Sequence, residues 1–294
     1  MHDKMTLKGF YKIYHKEIDN AIKKALEEDK AFKDITTNKL LGGVLGDVML
    51  RAKLLCKENC IAAGLDIFKR VYLKIDPGAH FKFYVKDGDF IRNKQVAAEV
   101  KSTLRNLLIG ERTALNFLQR MSGVATLTNY FVKKLKHRKA KILHTRKTTP
   151  NFRVFELAAV KIGGGDFHRF DLSSAVLVKD NHILASGSVE NAIKILKQKR
   201  VGKIQVEAEA KTNDEINAII KYGRGIVKIV MLDNFKDSRL GNAIKKLKVH
   251  RFEIEVSGGI NMKNFERKQH KGIDYYSIGM LTHSYKSIDF SLEF

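Results

Sequence analysis

The sequence predicts an α/β protein in which an N-terminal α+β domain precedes a closed or nearly closed ring of β/α units. Before residue 115, helical patterns and alternating strands follow one another without a repeating order. From Lys141 onward, short β-rich runs alternate with helical stretches, which is typical of parallel strands joined by right-handed crossovers. Polar residues stand near the C-terminal end of nearly every run, and such ends meet at one mouth when the strands form a ring.

The N-terminal domain, predicted over residues 1–115, combines helices with antiparallel strands. Apolar residues at helical spacing predict helices over residues 10–28 and 64–75. Alternation of apolar and basic side chains predicts a strand over residues 47–56. Two further runs, 80–85 and 89–96, predict a hairpin closed by Lys86-Asp87-Gly88. This domain offers no nucleophile or metal cage, so we expect it to shape and cover a site.

A long apolar stripe predicts a helix over residues 102–136, at the junction with the second domain, which we place at residues 116–284. Gly123 marks either a break in this helix or a close contact. Arg112 lies near its start. Spacing alone favours an ordinary ion pair or a solvated helix face for Arg112.

The second domain follows a β/α rhythm. Its predicted strands cover residues 141–144, 175–179, 204–209, 227–232, 252–256 and 274–278. Its predicted helices cover residues 153–162, 189–197, 214–222, 239–248 and 262–269. A seventh strand is not evident, and the region near Gly163 is the one place where it could lie. The tail, residues 285–294, alternates like a strand, and the family resemblance described below implies that it returns to the N-terminal domain.

Composition excludes several classes of protein. The chain has 294 residues, 44% of them hydrophobic, and two prolines, which describes an ordered globular protein. No run approaches the roughly 20 apolar residues of a membrane span, and residues 1–14 lack the apolar core of a signal peptide. Cys56 and Cys60 are too few for a disulfide framework or a zinc site. We therefore expect reduced cysteines and a cytoplasmic protein without a membrane partner.

The net charge of +23 has two interpretations. Basic surfaces attract nucleic acid. However, the lysine-rich clusters at 136–141, 197–200 and 267–271 each end a predicted helix, where cations complement the helix dipole. No nucleic-acid-binding motif accompanies them. We favour a basic surface plus a site for polyanions, and nucleic acid is the less favoured partner.

Cations converge in the stretch from His144 to Ile183. Arg146 and Lys147 follow one predicted strand, Lys179 ends the next, and His168 and Arg169 follow a run of three glycines. Arginine offers a rigid fork for carboxylate or phosphate, and lysine a compact point charge. Such a cluster at strand ends predicts a small, highly anionic substrate.

Phosphate-binding turns and a few carboxylates complete the predicted mouth. Ser257, Gly258 and Gly259 follow one strand and Gly279 follows the next, where backbone amides can approach an anion. These are the last two strands, the usual phosphate position of β/α barrels. Glu207 and Glu209 share one strand face and Asp233 ends the following strand. They are either counter-ions for the cations or ligands of ribose and Mg²⁺, which needs few carboxylates.

The motifs resemble those of quinolinate phosphoribosyltransferase, the carboxylating nicotinate-nucleotide pyrophosphorylase of NAD biosynthesis. The resemblance rests on TRKTTP from Thr145, GGG followed by HR at His168, KDNH from Lys179, LDN from Leu232, SGGI from Ser257 and GMLTHS from Gly279. It covers most of the chain. It implies an α/β fold in which an α+β sandwich-like domain precedes an incomplete β/α barrel of seven strands, the type II phosphoribosyltransferase fold.

The resemblance also implies substrates and roles. The substrates are quinolinate and 5-phosphoribosyl 1-pyrophosphate, with Mg²⁺ as cofactor, in a homodimer or a higher oligomer up to a hexamer. Quinolinate is bound by Arg146, His168, Arg169 and Lys179, and by Arg112 donated across the subunit interface. The ribosyl pyrophosphate is bound by Lys147, Glu207, Asp233, Ser257, Gly258, Gly259 and Gly279. The catalytic residues are Lys147, Glu207 and Asp233, and Glu207 and Asp233 hold the Mg²⁺, partly through water.

Three departures from the family pattern touch the edge of this site. His144 stands where an aspartate commonly precedes TRKTTP, Asn151 replaces a glycine, and Asp166-Phe167 replaces a polar pair before His168. They do not change the reaction that the resemblance implies, but they leave the affinity for the substrates and the pH optimum open. Alternative functions are a sister phosphoribosyltransferase, related to the molybdenum-operon protein or specific for nicotinate, and a basic nucleic-acid-binding protein.

Overall fold

The computed structural model describes residues 5–294, which pack into two compact units. One unit comprises Met5–Tyr130, Thr148–Gly164 and Ser284–Phe294, and the other comprises Phe131–Lys147 and Gly165–His283. The first four residues of the predicted N-terminal domain lie outside the described residues. Because the chain passes between the units more than once, a linear boundary after residue 115 stays a prediction. None of the helices within residues 5–294 is long and apolar enough to cross a membrane.

The first unit contains a four-stranded antiparallel sheet, a two-stranded sheet and six helices or parts of helices. Its helices are α1 (Leu7–Ile13), α2 (His15–Glu28), α3 (Ile35–Leu40), α4 (Leu65–Ile75), most of α5 (Leu104–Lys133) and α6 (Arg153–Ile162). Its strands are β1 (Met49–Cys56), β2 (Cys60–Ile61), β3 (His80–Phe83), β4 (Phe90–Ile91), β5 (Val96–Thr103) and the tail strand β12 (Phe290–Glu293). The larger sheet has the order β12-β1-β5-β3.

Strand pairing in this unit corrects one prediction and extends another. The predicted hairpin over residues 80–96 is wrong, because β3 pairs with β5 and β4 pairs with β2. The tail strand β12 runs antiparallel to β1, with Phe290 opposite Cys56. Both cysteines are buried and free, as predicted.

Helix α5 is continuous through Gly123, so this glycine marks a close contact and not a break. A Cβ at Gly123 would lie 2.3 Å from the carbonyl oxygen of Lys286, which precedes β12. The apolar stripe predicted for this helix is buried, including Leu107, Leu115 and Met121. The tail of the chain is therefore held against α5 by a position that tolerates no side chain.

The second unit is a parallel six-stranded sheet with helices between its strands. Its strands are β6 (Lys141–Leu143), β7 (Val176–Val178), β8 (Val206–Ala210), β9 (Val227–Asp233), β10 (Glu253–Ser257) and β11 (Tyr275–Ser277). Its helices, apart from the end of α5, are α7 (Asp180–Ser186), α8 (Val189–Gln198), α9 (Asn213–Tyr222), α10 (Asp237–Val249) and α11 (Met280–His283). The strand order is β6-β11-β10-β9-β8-β7, and every pairing is parallel.

This sheet curves into an incomplete barrel, as predicted. Glu207 on β8 and Glu255 on β10 are separated by β9, and strands two apart lie about 9.5 Å from each other in a flat sheet. Their carboxylates nevertheless lie within 4.8 Å of each other and of the His168 ring. Beyond β6, one parallel bridge joins Leu143 to Asp166. The expected seventh strand near Gly163 is thus reduced to a single residue pair.

Strand register sets the depth of each inward-facing side chain. Glu207 lies opposite Ile229, whereas Glu209 lies opposite Met231, one inward position nearer the C-terminal ends of the strands. Ser257 lies opposite Asp233 at those ends. We call this end of the barrel the mouth; its residues are 144–147, 179–180, 209–211, 233–234, 257–259 and 279.

Two local predictions in this unit are corrected. The helix predicted over residues 262–269 does not form. There the Oδ1 atom of Asn261 accepts hydrogen bonds from the backbone N–H groups of Lys263 and Asn264, and the Asn261 N–H donates to Oδ1 of Asn264. Side-chain bonds of this kind compete with helical ones. Conversely, α7 was not predicted, and it begins directly at the KDNH motif.

Candidate active site

Two arginines, Arg146 and Arg169, lie near enough to repel each other, and Glu207 and Asp171 offset part of the charge of Arg169. Arg169 is only 7% exposed, and burial followed by repulsion from Arg146 lowers the pKa of its guanidinium. One Nη of Arg169 donates to the carbonyl oxygen of Ala175 at 3.3 Å. The Nε of Arg146 is buried and has no hydrogen-bond partner among the described residues. A guanidinium pair in this state is arranged for an anion with more than one charge.

Lys179 adds a third cation at the end of β7. It is the residue before α7, and its backbone N–H donates to Nδ1 of His182 at 3.3 Å. His182 therefore caps this helix and fixes the backbone from which Lys179 extends. The geometry therefore gives His182 a structural role.

Lys147 lies beside the turn that follows β11. Its Cδ is 3.2 Å from the place where a Cβ would stand on Gly279. The hydroxyl of Thr282 donates to the Lys147 carbonyl oxygen at 2.8 Å and thereby ties the two segments together. The structure thus places Lys147 beside Gly279, and the role of both in binding the ribosyl pyrophosphate stays a prediction.

The turn after β10 requires glycine. Gly258 and Gly259 have φ angles of +89° and +59°, which side chains disfavour. A Cβ on Gly258 would lie 2.4 Å from the Oδ1 atom of Asn234 and 2.6 Å from its backbone nitrogen. Asn234 itself hydrogen-bonds through its backbone N–H to Ser257. The two turns after β9 and β10 therefore pack directly together and leave backbone amides at the mouth.

The carboxylate that shares the mouth with Asp233 is Glu209. Burial, and next the repulsion from Asp233, raise the pKa of Glu209. The ammonium of Lys211 bridges Glu209 at 3.3 Å and Asp180 at 3.1 Å. Hydrogen bonding to Lys211 lowers the pKa of Asp180. Two carboxylates that repel each other beside a phosphate-binding turn are a donor set that fits Mg²⁺, which takes few protein ligands.

Glu207 has a different environment from Glu209, and its predicted role beside Asp233 stays a prediction. Its Oε2 atom lies 3.1 Å from Nε2 of His168, and the Glu255 Oε2 atom lies 3.4 Å from the same nitrogen. Both carboxylates are buried, with exposed fractions of 3% and 0%. On β8, Glu207 lies one inward position before Glu209, and its carboxylate is enclosed with that of Glu255 beside His168.

Both the ring and the backbone of His168 are held by neighbouring side chains. Burial opposes protonation of its imidazole and is the largest single effect, but Glu255 and Glu207 together outweigh it and raise the pKa of His168 to about 10. Its backbone N–H donates to Nε2 of His144 at 3.1 Å. The ring of His168 is therefore a fixed cation at neutral pH.

Arg112 lies in the other compact unit. Its side chain on α5 is 73% exposed and lies 3.5 Å from Glu111. This exposure is compatible with either of the interpretations that the sequence left open. Its role across an interface stays a prediction.

Sequence reasoning missed two residues of this site. Glu255 was not singled out, although it follows Glu253 with the period-two spacing that also links Glu207 to Glu209. That spacing was the available signal. Lys211 carried no signal, because a lysine after a strand is common in a chain with 55 basic residues.

The site belongs to the class of transferase sites that take anionic, phosphorylated substrates. It combines clustered cations, glycine turns and a few carboxylates in an incomplete barrel. The model of the quinolinate phosphoribosyl transferase C-terminal domain matches residues 124–293, and the model of the N-terminal domain matches residues 34–122. The chain therefore belongs to the quinolinate phosphoribosyl transferase family.

Individual relatives agree with this assignment. The chain is 34% identical to a probable carboxylating nicotinate-nucleotide pyrophosphorylase of Bacillus subtilis, over 95% of this chain and 94% of that protein. It is 38% identical to the corresponding protein of Methanocaldococcus jannaschii, over 92% of this chain and 95% of that one. A crystal structure of NadC from Streptococcus pyogenes is 39% identical and superposes with a TM-score of 0.88, covering 94% of this chain and 95% of that one.

Proposed function

We propose that the protein transfers the phosphoribosyl group of 5-phosphoribosyl 1-pyrophosphate to quinolinate, with decarboxylation, in the cytoplasmic synthesis of NAD. The products are nicotinate mononucleotide, pyrophosphate and CO₂. Membership of the family and the names of the relatives support this reaction. The observation that carries it is the mutual repulsion of Arg146 and Arg169 beside an unpartnered guanidinium nitrogen. A pyridine with two adjacent carboxylates supplies the two negative charges that this pair lacks.

Quinolinate is held by the cations of the mouth. The guanidinium groups of Arg146 and Arg169 bind its carboxylates through charge-assisted hydrogen bonds, which fix the plane of the ring. Lys179 and the His168 imidazolium add further positive charge for the second carboxylate. A monocarboxylate such as nicotinate would leave part of this charge buried and unbalanced, which favours the dicarboxylate.

The ribosyl pyrophosphate is held by the turns after β10 and β11. Backbone amides around Gly258 and Gly259, with the Ser257 hydroxyl, bind phosphate oxygens. Lys147, beside Gly279, places an ammonium on the pyrophosphate and neutralises the charge that develops as this group leaves.

Glu209 and Asp233 bind the ribose hydroxyls and hold the Mg²⁺. We assign Glu209 here in place of the predicted Glu207, because Glu209 is the carboxylate whose charge interacts with Asp233. Bound Mg²⁺ supplies positive charge to the pyrophosphate oxygens.

Positioning and fixed charge account for the chemistry. The pyridine nitrogen forms a bond to C1 of the ribose as the bond from C1 to the pyrophosphate oxygen breaks. The ring nitrogen then carries a positive charge, which stabilises the carbanion left at C2 when the adjacent carboxylate departs as CO₂. A proton from solvent completes the product. The protein contributes orientation and electrostatic stabilisation, and no covalent intermediate is required.

Arg112 completes the site from a second subunit. Its exposed position on α5 leaves the guanidinium accessible to a neighbouring chain. Mixing an Arg112→Ala variant with a Lys147→Ala variant tests this: partial recovery of activity on subunit exchange supports a shared site in a homodimer or higher oligomer. No recovery, with exchange verified by mass spectrometry of mixed isotopic labels, contradicts it.

The reaction itself is tested with quinolinate labelled in its 2-carboxylate. Incubation with 5-phosphoribosyl 1-pyrophosphate and Mg²⁺ releases labelled CO₂ and an equal amount of nicotinate mononucleotide. The same incubation with nicotinate gives little product. Turnover of nicotinate at a rate equal to or above that of quinolinate would transfer the assignment to the nicotinate-specific sister enzyme.

A further inference from the structure

The interior of the barrel holds a charged cluster below the mouth. It consists of His168, Glu207 and Glu255, whose ligand atoms all lie within 4.8 Å of one another. Around it lie Arg169, Lys228 of β9 and Tyr275 of β11, which line the same cavity of about 40 Å³. Sequence motifs direct attention to His168 and Glu207, whereas nothing in them points to Glu255.

Burial of these carboxylates costs free energy, which indicates that the cluster has a function. Glu255 is fully buried, and both of its carboxylate oxygens lack a hydrogen-bond partner among the described residues, as does Oε1 of Glu207. Burial of a charge is tolerated when an opposite charge stands close by. Nε2 of His168 is the cationic atom nearest to both carboxylates, at 3.1 Å and 3.4 Å.

A proton on His168 offsets the negative charge of the cluster. The His168 imidazolium and the neighbouring Arg169 guanidinium are the positive charges that face Glu207 and Glu255. Burial and then repulsion from Glu255 raise the pKa of Glu207 to about 7, and His168 and Arg169 oppose that rise. Arg169 interacts favourably with Glu207. On the other side of His168, the ring of His144 lies 6.5 Å away between centroids and accepts the His168 backbone N–H, which requires that nitrogen to be unprotonated. Lys228 is engaged with Glu253 at 3.2 Å and Tyr275 donates to the same residue at 2.9 Å.

We infer that Glu255 is a positioning residue for the proposed reaction: with Glu207 it holds His168 as a permanently charged, fixed imidazolium that serves the quinolinate site. Glu207 accepts the Nε2–H, and Glu255 acts mainly through its charge, since its oxygen makes no well-aligned hydrogen bond. The Nδ1–H remains as a donor for a substrate carboxylate. The inference rests on the proposed function, and it adds a residue that never touches the substrate.

The arrangement explains why the charge is placed in the interior. A histidine at the mouth would titrate near neutral pH and would lose its charge in the range where the enzyme works. Two buried carboxylates on different strands, β8 and β10, keep that charge and fix the ring from two directions.

The test compares Glu255→Gln with Glu253→Gln. Both residues lie on β10 and face inward, but Glu253 binds Lys228 and Tyr275 instead of His168. In the native protein and in Glu253→Gln, we expect the KM for quinolinate to be constant from pH 7 to pH 9. In Glu255→Gln, it should rise roughly tenfold per pH unit above the lowered pKa of His168. The KM for the ribosyl pyrophosphate should not change.

A ligand-free measurement separates this inference from the proposed function. The ¹⁵N shifts of the His168 ring, assigned with a His168→Gln variant, should report an imidazolium through pH 9 in the native protein and a neutral ring in Glu255→Gln. This result stands even if quinolinate proves not to be the substrate. A Glu255→Asp variant, which keeps the charge, should restore most of the native behaviour and serves if the glutamine variant is unstable.

Three outcomes would overturn the inference. The first is a His168 ring that is still protonated at pH 9 in Glu255→Gln. The second is an equal rise in KM for both substrates, which would indicate a general structural defect. The third is broadening of the His168 resonances by low concentrations of Mn²⁺ in chelator-treated protein, which would make the cluster a metal site.

Discussion

Replacing Arg146 with lysine keeps the positive charge at the mouth and removes the guanidinium fork. The Nε of Arg146 is buried without a partner among the described residues, and in the proposed function a quinolinate carboxylate accepts its hydrogen bond. A hydrogen bond to a charged group contributes about 1.5–3 kcal/mol. Its loss should therefore raise the KM and the dissociation constant for quinolinate by roughly 10- to 150-fold. The KM for 5-phosphoribosyl 1-pyrophosphate should stay close to the native value, because Lys147 and the glycine turns bind that substrate.

Initial rates over a grid of both substrates, with calorimetric titration of quinolinate, measure these quantities. Arg200→Lys is a matched control, since Arg200 is exposed and precedes β8 at the end of the barrel opposite the mouth. The repulsion between Arg146 and Arg169 provides a second readout: binding of the dianion relieves it, so quinolinate should raise the melting temperature of the native protein more than that of Arg146→Lys. Native affinity for quinolinate in Arg146→Lys would refute the assignment of this guanidinium to the substrate.

Three further predictions concern the carboxylates, the glycine turn and stability. Glu209→Gln should raise the Mg²⁺ concentration needed for half-maximal rate, whereas Glu207→Gln should change the KM for quinolinate; the reverse pattern would restore the original pairing of Glu207 with Asp233. Gly258→Ala should lower the free energy of unfolding by about 1–3 kcal/mol and raise the KM for the ribosyl pyrophosphate, because strain at positive φ adds to a steric clash with Asn234. Gly225→Ala is the control, since Gly225 has a φ of +78° but no neighbouring atom that a Cβ would meet. Equal losses of stability in urea titrations of the two variants would contradict the clash. The stability that the raised pKa of His168 contributes is complete below about pH 6.5 and is lost as pH rises through about 10. The free energy of unfolding should thus fall by up to about 1.4 kcal/mol per pH unit from pH 7 to pH 9. In urea titrations, an equal fall in the free energy of unfolding of His168→Gln would contradict this.

The fold was predictable where a pattern repeats along the chain, and it was not where distant pairing decides. Alternating runs located the barrel strands, because each crossover constrains its strands to be parallel. The predicted hairpin over residues 80–96 failed for the opposite reason. Its turn exists, with Gly88 at φ +95°, but it joins strands of two different sheets. Alternation shows which face of a strand is buried and carries no information about its partner.

The residue types of the site could be predicted from the sequence, but the position of each side chain along the barrel axis could not. Cations at strand ends indicated a polyanion mouth, and the structure places Arg146, Arg169 and Lys179 in one barrel unit. The sequence also showed that Glu207 and Glu209 share a face, but two positions along a strand differ by about 6.6 Å in height. Which of the two carboxylates meets His168 depends on how the segment that carries His168 packs against β8, which no local pattern reveals. Glu255 was missed because its contact is with His168 and Glu207, and Glu207 lies on a strand two places away in the sheet.

The substitution at His144 gives the interior cluster greater weight in this chain. The imidazole of His144 donates from Nδ1 to the Thr145 carbonyl oxygen at 3.2 Å and accepts at Nε2 from the His168 backbone, so it is the neutral tautomer. It thus supplies the hydrogen-bond acceptor that an aspartate would supply at this position, without the negative charge. Because the neutral His144 adds no negative charge, the attraction that raises the pKa of His168 comes from Glu255 and Glu207. Removing either one should therefore affect His168 more in this protein than in a relative that keeps the aspartate.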